Sequence, residues 1–163
     1  MGRDYRAPVT VAGTVGEEKT ASVDLKKGES LDYLGFQIRR VRGQSGKWFP
    51  LCRPLLKKRT ELLRRLKLIF RSHRSQPVGR VIEQINPILR GWVNYFARWH
   101  ASQTLSYIRA WVEKKVRRHL ARNSKRHGFS WKRWSTRWLY AHLGLFDSYR
   151  VQWRQSQKAL PVR

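Results

Sequence analysis

The run LSYIRAWVEKKVRRHLAR, residues 105–122, reads as a two-faced helix. Leu105, Ile108, Val112, Val116 and Leu120 recur at three- and four-residue spacing, and Trp111 widens their stripe. Arg109, Lys114, Lys115, Arg117 and Arg118 lie opposite or beside it. Such a helix buries its apolar stripe against other helices and leaves a cationic flank outside. Ser102 is the expected N-cap.

The same pattern extends in both directions. From about Pro54, Leu55, Leu62, Leu66 and Ile69 line one helix face, broadened by Leu63 and Phe70. Ser75–Gln76–Pro77 marks a break. Val78, Val81, Ile82 and Ile85 open the next stripe, and Asn86–Pro87 is expected to kink or end it. Ile88, Trp92, Tyr95, Phe96 and Trp99 continue at helical spacing, with Gly91 read as a point of close packing. Downstream, Asn123–Gly128 is a break carrying Lys125 and Arg126. Ser130 is the expected cap of a last helix, on which Trp131, Trp134 and Trp138 share a mostly buried face, and Gly144 ends it.

Upstream the period changes to two. Leu34, Phe36 and Ile38 alternate with Gly35, Gln37 and Arg39, so residues 31–42 read as one strand. Gly43–Gly46 is a turn, and Lys47–Arg53 returns as a second strand whose Pro50 places it at an edge or bulge. The fold class is α+β: a small antiparallel β piece followed by a mainly α-helical region. The divisions are a β-rich segment 1–53, a helical segment 54–98 and a helical segment 99–163. No Gly-, Ser- or Pro-rich linker separates freely moving domains, and no clean internal repeat is present.

Charge supplies the functional direction. The 163 residues carry 36 Lys and Arg against 10 Asp and Glu, a formal net charge of +26. Residues 1–56 hold 10 basic and 6 acidic side chains; residues 57–163 hold 26 and 4. A surface that one-sided repels itself, and a polyanion relieves the repulsion. The expected nucleic-acid contacts are Lys57, Lys58, Arg59, Arg64, Arg65, Lys67, Arg109, Lys114, Lys115, Arg117, Arg118, Arg122, Lys125, Arg126, Lys132, Arg133 and Arg137. Charge alone does not separate RNA from duplex DNA.

Signatures of catalysis are missing. His73, His100, His119, His127 and His142 are scattered without metal-ligand spacing. Asp24 and Asp32 read as turn or cap residues, and GTVGEEKT (13–20) departs from a phosphate-binding loop. Neither a catalytic residue, a metal nor a cofactor is expected. Cys52, the single cysteine, excludes an internal disulfide and fits a cytoplasmic or other reducing compartment. No 18-residue apolar run exists, so a membrane partner is not expected.

The ordered set EKT (18–20), LDYLGFQIRR (31–40), INPILRGWVNYF (85–96) and WVEKKVRRHLARNSKRHGFSWKRWSTRWLY (111–140) resembles the C-terminal part of a group II intron reverse transcriptase/maturase. The likeness spans about residues 17–153. It implies the end of a polymerase palm over 17–53, the start of a thumb over 54–76, and the remaining thumb and maturase region over about 78–142. It also implies binding and stabilisation of structured group II intron RNA in support of splicing, the RNA carrying the chemistry. The YADD-type motif, the fingers and most of the palm are missing from this sequence, so no autonomous polymerase activity is expected. Two other roles remain open: a structural subunit that completes a split reverse transcriptase, and a general nucleic-acid-binding module. The partners implied are structured RNA, DNA or an RNA–DNA hybrid within a larger assembly, and a reverse transcriptase protein.

Overall fold

The computed structural model describes residues 23–124 and 131–152. Three antiparallel strands lead into four helices: β1 (Ser30–Tyr33), β2 (Phe36–Arg42), β3 (Trp48–Pro54), α1 (Leu56–Ser72), α2 (Val78–Phe96), α3 (Ser102–Asn123) and α4 (Thr136–Ala141). The strand order is β1-β2-β3. The α+β class expected from the alternating and helical periods is therefore what the chain forms. The calls on Lys125, Arg126 and Ser130, and those on the N-terminal residues through EKT, fall outside the described residues.

The expected single strand over 31–42 is two strands. Leu34 (φ 47°) and Gly35 (φ 82°) turn the chain, so Tyr33 pairs with Phe36 across a tight hairpin. A Cβ on Gly35 would also stand 3.2 Å from the Phe96 ring, so backbone angle and packing both call for glycine there. The alternation of Leu34, Phe36 and Ile38 carries the same period through a two-residue turn, which hid the break. Gly43–Gly46 forms the next turn, closed by Gly43 N–H to Lys47 O (2.8 Å) and Gly46 N–H to Gly43 O (2.9 Å). Pro50 lies in β3, an edge strand, where a missing N–H is tolerated.

Phe36 is the sheet's link to the helices. It is buried and packs on Phe96 (5.2 Å between centroids), Tyr95 (6.0 Å) and Trp99 (5.0 Å). The Tyr95 hydroxyl donates to Leu34 O at 3.0 Å, and His100 N–H donates to Cys52 O at 3.1 Å. These contacts explain why Tyr95 and Trp99, expected in the core, remain about half exposed: they clamp the sheet edgewise instead of filling the helical interior.

The helical core collects Leu62, Leu66 and Phe70 from α1, Val81, Ile82, Ile85 and Leu89 from α2, Ile108, Val112 and Val116 from α3, and Leu139 from α4. One core thus spans residues on both sides of position 98. Helix α2 runs through Pro87 without ending, so of the kink or boundary expected at Asn86–Pro87 the boundary does not form. Proline removes one ladder donor, and burial of Ile85 and Leu89 on either side outweighs that loss. The Asn86 side chain instead ties down the C-terminal segment, donating to Gly144 O (2.8 Å) and accepting from Phe146 N–H (3.0 Å).

Three further expectations change. Gly91 faces open space, with nothing within 4 Å of a built Cβ, so it is not a close-packing point. Ala101, buried and without a side-chain cap, precedes α3 in place of a Ser102 cap. Trp131 and Trp134 precede α4, whose cap is Ser135 (its Oγ accepts from Trp138 N–H at 3.2 Å), so the three tryptophans do not share one helix face. Trp134 is buried, Trp138 half-buried and Trp131 55% exposed.

Leu66 has no exposed surface and sits where α1 meets the core. Leu66→Ala is expected to lower unfolding free energy by about 3 kcal/mol, read by chemical denaturation.

Candidate nucleic-acid interface

Helix α1 places Lys67 and Arg71 one turn apart, and Arg74 follows just beyond the helix end. Helix α3 places Lys115, Arg118 and Arg122 at the matching three- and four-residue spacing. Because the apolar stripes of these two helices meet in the core, their cationic flanks face each other across a groove. Lys67, Phe70, Arg71, Arg74, Lys115, Arg118, His119 and Arg122 line about 470 Å³ there, and no carboxylate is among them. Lys115 registers the crowding: partial burial first, then Arg118, Lys67, Arg71 and Arg122, push its ammonium below the usual lysine range. It is held at 5.1 Å over the Trp111 ring.

His119 forms part of the groove wall. It is buried, its Nε2 lies 2.8 Å from Gln76 O, and its Nδ1 has no hydrogen-bond partner. The short distance to a carbonyl assigns the proton to Nε2, which fixes the loop between α1 and α2 against α3.

The four acidic side chains of the basic segment are all engaged locally. Glu61 pairs with Lys58 (3.0 Å) and Glu83 with Arg80 (3.7 Å); Asp147 accepts from Ser148 (3.0 Å). Glu113 is almost buried and anchors a network. Tyr140 O–H donates to its Oε1 at 2.7 Å, Arg109 Nε donates to the same oxygen at 3.1 Å, and Arg117 Nη1 donates to Oε2 at 3.2 Å. Burial acts to raise the Glu113 pKa, but the hydrogen bonds from Tyr140, Arg117 and Arg109 outweigh it and hold the carboxyl below the usual range. Burial, followed by the Glu113 hydrogen bond, pushes the Tyr140 phenol far above its ordinary value.

Arg117 corrects the sequence reading. It was grouped with the outward cations, yet none of its surface is exposed. Its Nε donates to Trp134 O (2.9 Å), its Nη2 to Thr136 Oγ1 (3.0 Å), and its guanidinium lies 4.0 Å from the Trp131 ring. A guanidinium so enclosed joins α3 to the α4 region and has no face for a phosphate. Its neighbour Arg118 is exposed because one residue turns a helix by about 100°. Charge type could not separate the two; the partner Glu113, four residues before Arg117, was the available signal.

The other expected contacts scatter. Lys57, Arg64 and Arg65 are exposed on α1, Lys114 on α3, and Lys132, Arg133 and Arg137 around the start of α4. Lys58 is drawn to Glu61, and Arg109 to Glu113 and Tyr140. Arg59 is half-buried, 4.3 Å over the Tyr107 ring. Of the expected set, Lys67, Lys115, Arg118 and Arg122 converge on the groove. Arg71 and Arg74 complete it and were missed, although their spacing from Lys67 carries the signal.

A family model of the group II intron, maturase-specific domain matches residues 59–139. Over those residues the protein is similar to a maturase-specific domain. The match takes in nearly all of α1, all of α2 and α3, and most of α4, hence the whole groove. No curated protein matches the chain. The maturase domain associates the chain with group II intron splicing. Among the described residues no group of three or more His, Cys, Asp or Glu is placed to hold a metal ion, and no helix is long and apolar enough to cross a membrane.

Glu113 sets an acid limit on the maturase domain. Its folded pKa lies below the unfolded value of about 4.3, so its contribution to stability is complete above that pH and is lost as pH falls through the folded pKa. Denaturation midpoints measured from pH 6 downwards should drop in that window. Glu113→Gln should be less stable at neutral pH, because Arg117 loses its counter-charge, and should show a shallower acid dependence.

Proposed function

We propose that this chain binds structured group II intron RNA through the α1/α3 groove and so stabilises the fold in which the intron splices, without polymerising nucleic acid itself. The observation that carries the reading is the convergence of six cations from α1, the turn that follows it and α3, with no carboxylate among the groove's lining residues, inside the region matched by the maturase-specific domain.

The physical logic is electrostatic. Side chains at Lys67, Arg71, Arg74, Lys115, Arg118 and Arg122 repel one another, and apolar contacts beneath them supply the free energy that holds them together. A phosphate backbone laid along the groove converts that repulsion into attraction and releases its own counterions. Because the cations are mounted on packed helices, little chain entropy is lost on binding. Arginine suits the task, since its planar head meets phosphate oxygens two at a time. The exposed Lys132, Arg133 and Arg137 extend the cationic surface, and Lys125 and Arg126 add charge in the segment between α3 and α4. The catalytic chemistry stays with the RNA; the protein's contribution is neutralisation and positioning.

Splicing of the neighbouring intron, assayed with and without the protein, tests the proposal. Wild-type protein should accelerate splicing at moderate salt. Lys67→Glu/Arg71→Glu/Lys115→Glu/Arg118→Glu should fold, abolish that acceleration, and lower the salt slope of RNA binding by about three to four. Arg117 must be left intact in such a set, since its loss tests folding. Full acceleration by the folded variant would remove the groove from the account.

A further inference from the structure

We infer that the β2–β3 hairpin is a second nucleic-acid contact, a stacking platform for unpaired bases, separate from the cationic groove. The residues are Trp48, Arg40 and Arg42 on one face of the hairpin, with Lys47 at its turn.

The register places them together. Arg42 pairs with Trp48 across the two strands, and Arg40, two residues back along β2, projects to the same side. The Arg40 guanidinium lies 4.9 Å from the Trp48 ring centroid. Phe36, on the same side of β2, is buried against α2, whereas Trp48 at the far end is 57% exposed. The sheet therefore packs by its inner end and, on the opposite face, through Phe49 on His100 (5.8 Å between centroids), while the Trp48 face of its outer end stands in solvent.

A large exposed indole offers a broad apolar face to a partner. The charge around it selects the covering partner. From Phe36 to Pro54 the hairpin carries Arg39, Arg40, Arg42, Lys47 and Arg53 and not a single Asp or Glu. That surface repels a basic protein surface, including a second copy of this +26 chain, and attracts a polyanion. An indole bordered by guanidinium groups and a lysine matches single-stranded nucleic acid, whose bases stack on aromatic rings while phosphates meet the cations. Duplex nucleic acid does not match it, because paired bases offer no free face.

The hairpin is also stiff enough to hold this geometry. Arg42 Nε donates to Gly46 O (3.2 Å), and the two backbone bonds across Gly43–Lys47 close the turn. At the inner end, Arg53 donates to Gln37 Oε1 through Nε and Nη2 (3.3 and 3.1 Å). An indole presented on a fixed ladder gives up little freedom when a base stacks on it.

The test uses the full chain, a single-stranded oligouridylate of about a dozen nucleotides, and an RNA duplex of the same length. Trp48→Ala should weaken single-strand binding about tenfold, leave duplex affinity unchanged, and leave the salt slope intact, because stacking releases no counterions. Trp48→Phe should restore most of the loss. The folded charge-reversed groove variant should weaken duplex and single-strand binding together and lower the salt slope, so failure of the groove proposal and failure of this one give different results. Unchanged single-strand affinity in Trp48→Ala would overturn the inference. Equal losses on single strand and duplex would also overturn it, as would a loss that Trp48→Phe does not repair.

Discussion

The cationic groove exists because apolar side chains hold like charges together. Leu66 and Phe70 on α1 and Val112 and Val116 on α3 belong to one buried cluster, and the cations stand on the outward flanks of the same two helices. Left to electrostatics, α1 and α3 would move apart. Each buried aliphatic side chain contributes roughly 1.5–3 kcal/mol toward keeping them in place. The Lys115 ammonium is held below the usual lysine range first by burial and then by the neighbouring Arg118, Lys67, Arg71 and Arg122. A fold that holds such repulsion is prepared for an anion before one arrives.

The second constraint is the enclosed Arg117–Glu113 pair. It converts one of many arginines into a strut between α3 and the α4 region, satisfied by Trp134 O, Thr136 and Glu113 and covered by Trp131. Removing the Glu113 carboxylate would leave the Arg117 guanidinium buried without its counter-charge, which typically costs about 3–5 kcal/mol, whereas Glu113 without Arg117 keeps Arg109 and Tyr140. Exposed cations and a buried one therefore do opposite work within a few residues of α3. Arg118 and Arg122 serve the surface, and Arg117 serves the frame that presents it.

Much of this was legible in the sequence. The stripe Leu105, Ile108, Val112, Val116 gave α3, and the period change near Pro54 gave the transition from sheet to helix. The even spacing of Leu34, Phe36 and Ile38 concealed a hairpin, because a two-residue turn preserves alternation. Pro87 suggested a kink or a boundary; the helix does not end there, because burial along α2 overrode the lost hydrogen bond. The tryptophans at 131, 134 and 138 had helical spacing without a helix beneath the first two. For the site, four groove residues were named from their place beside the helical stripes, while Arg71 and Arg74 share the spacing of Lys67 and become groove residues only because those faces of α1 and α3 oppose each other. Arg117 was misplaced because its charge type matches that of its outward neighbours, and only Glu113, four residues before it, distinguishes it in the sequence.

In the proposed function the α1/α3 groove carries the RNA phosphate backbone. Lysine acetylation of the folded protein, mapped residue by residue with and without intron RNA, tests it most directly. Lys67 and Lys115 should be protected by RNA at moderate salt and regain reactivity at high salt, while Lys26 and Lys27, on the short turn before β1, should react equally in both states. Equal reactivity of Lys67 and Lys115 with and without saturating RNA would contradict it.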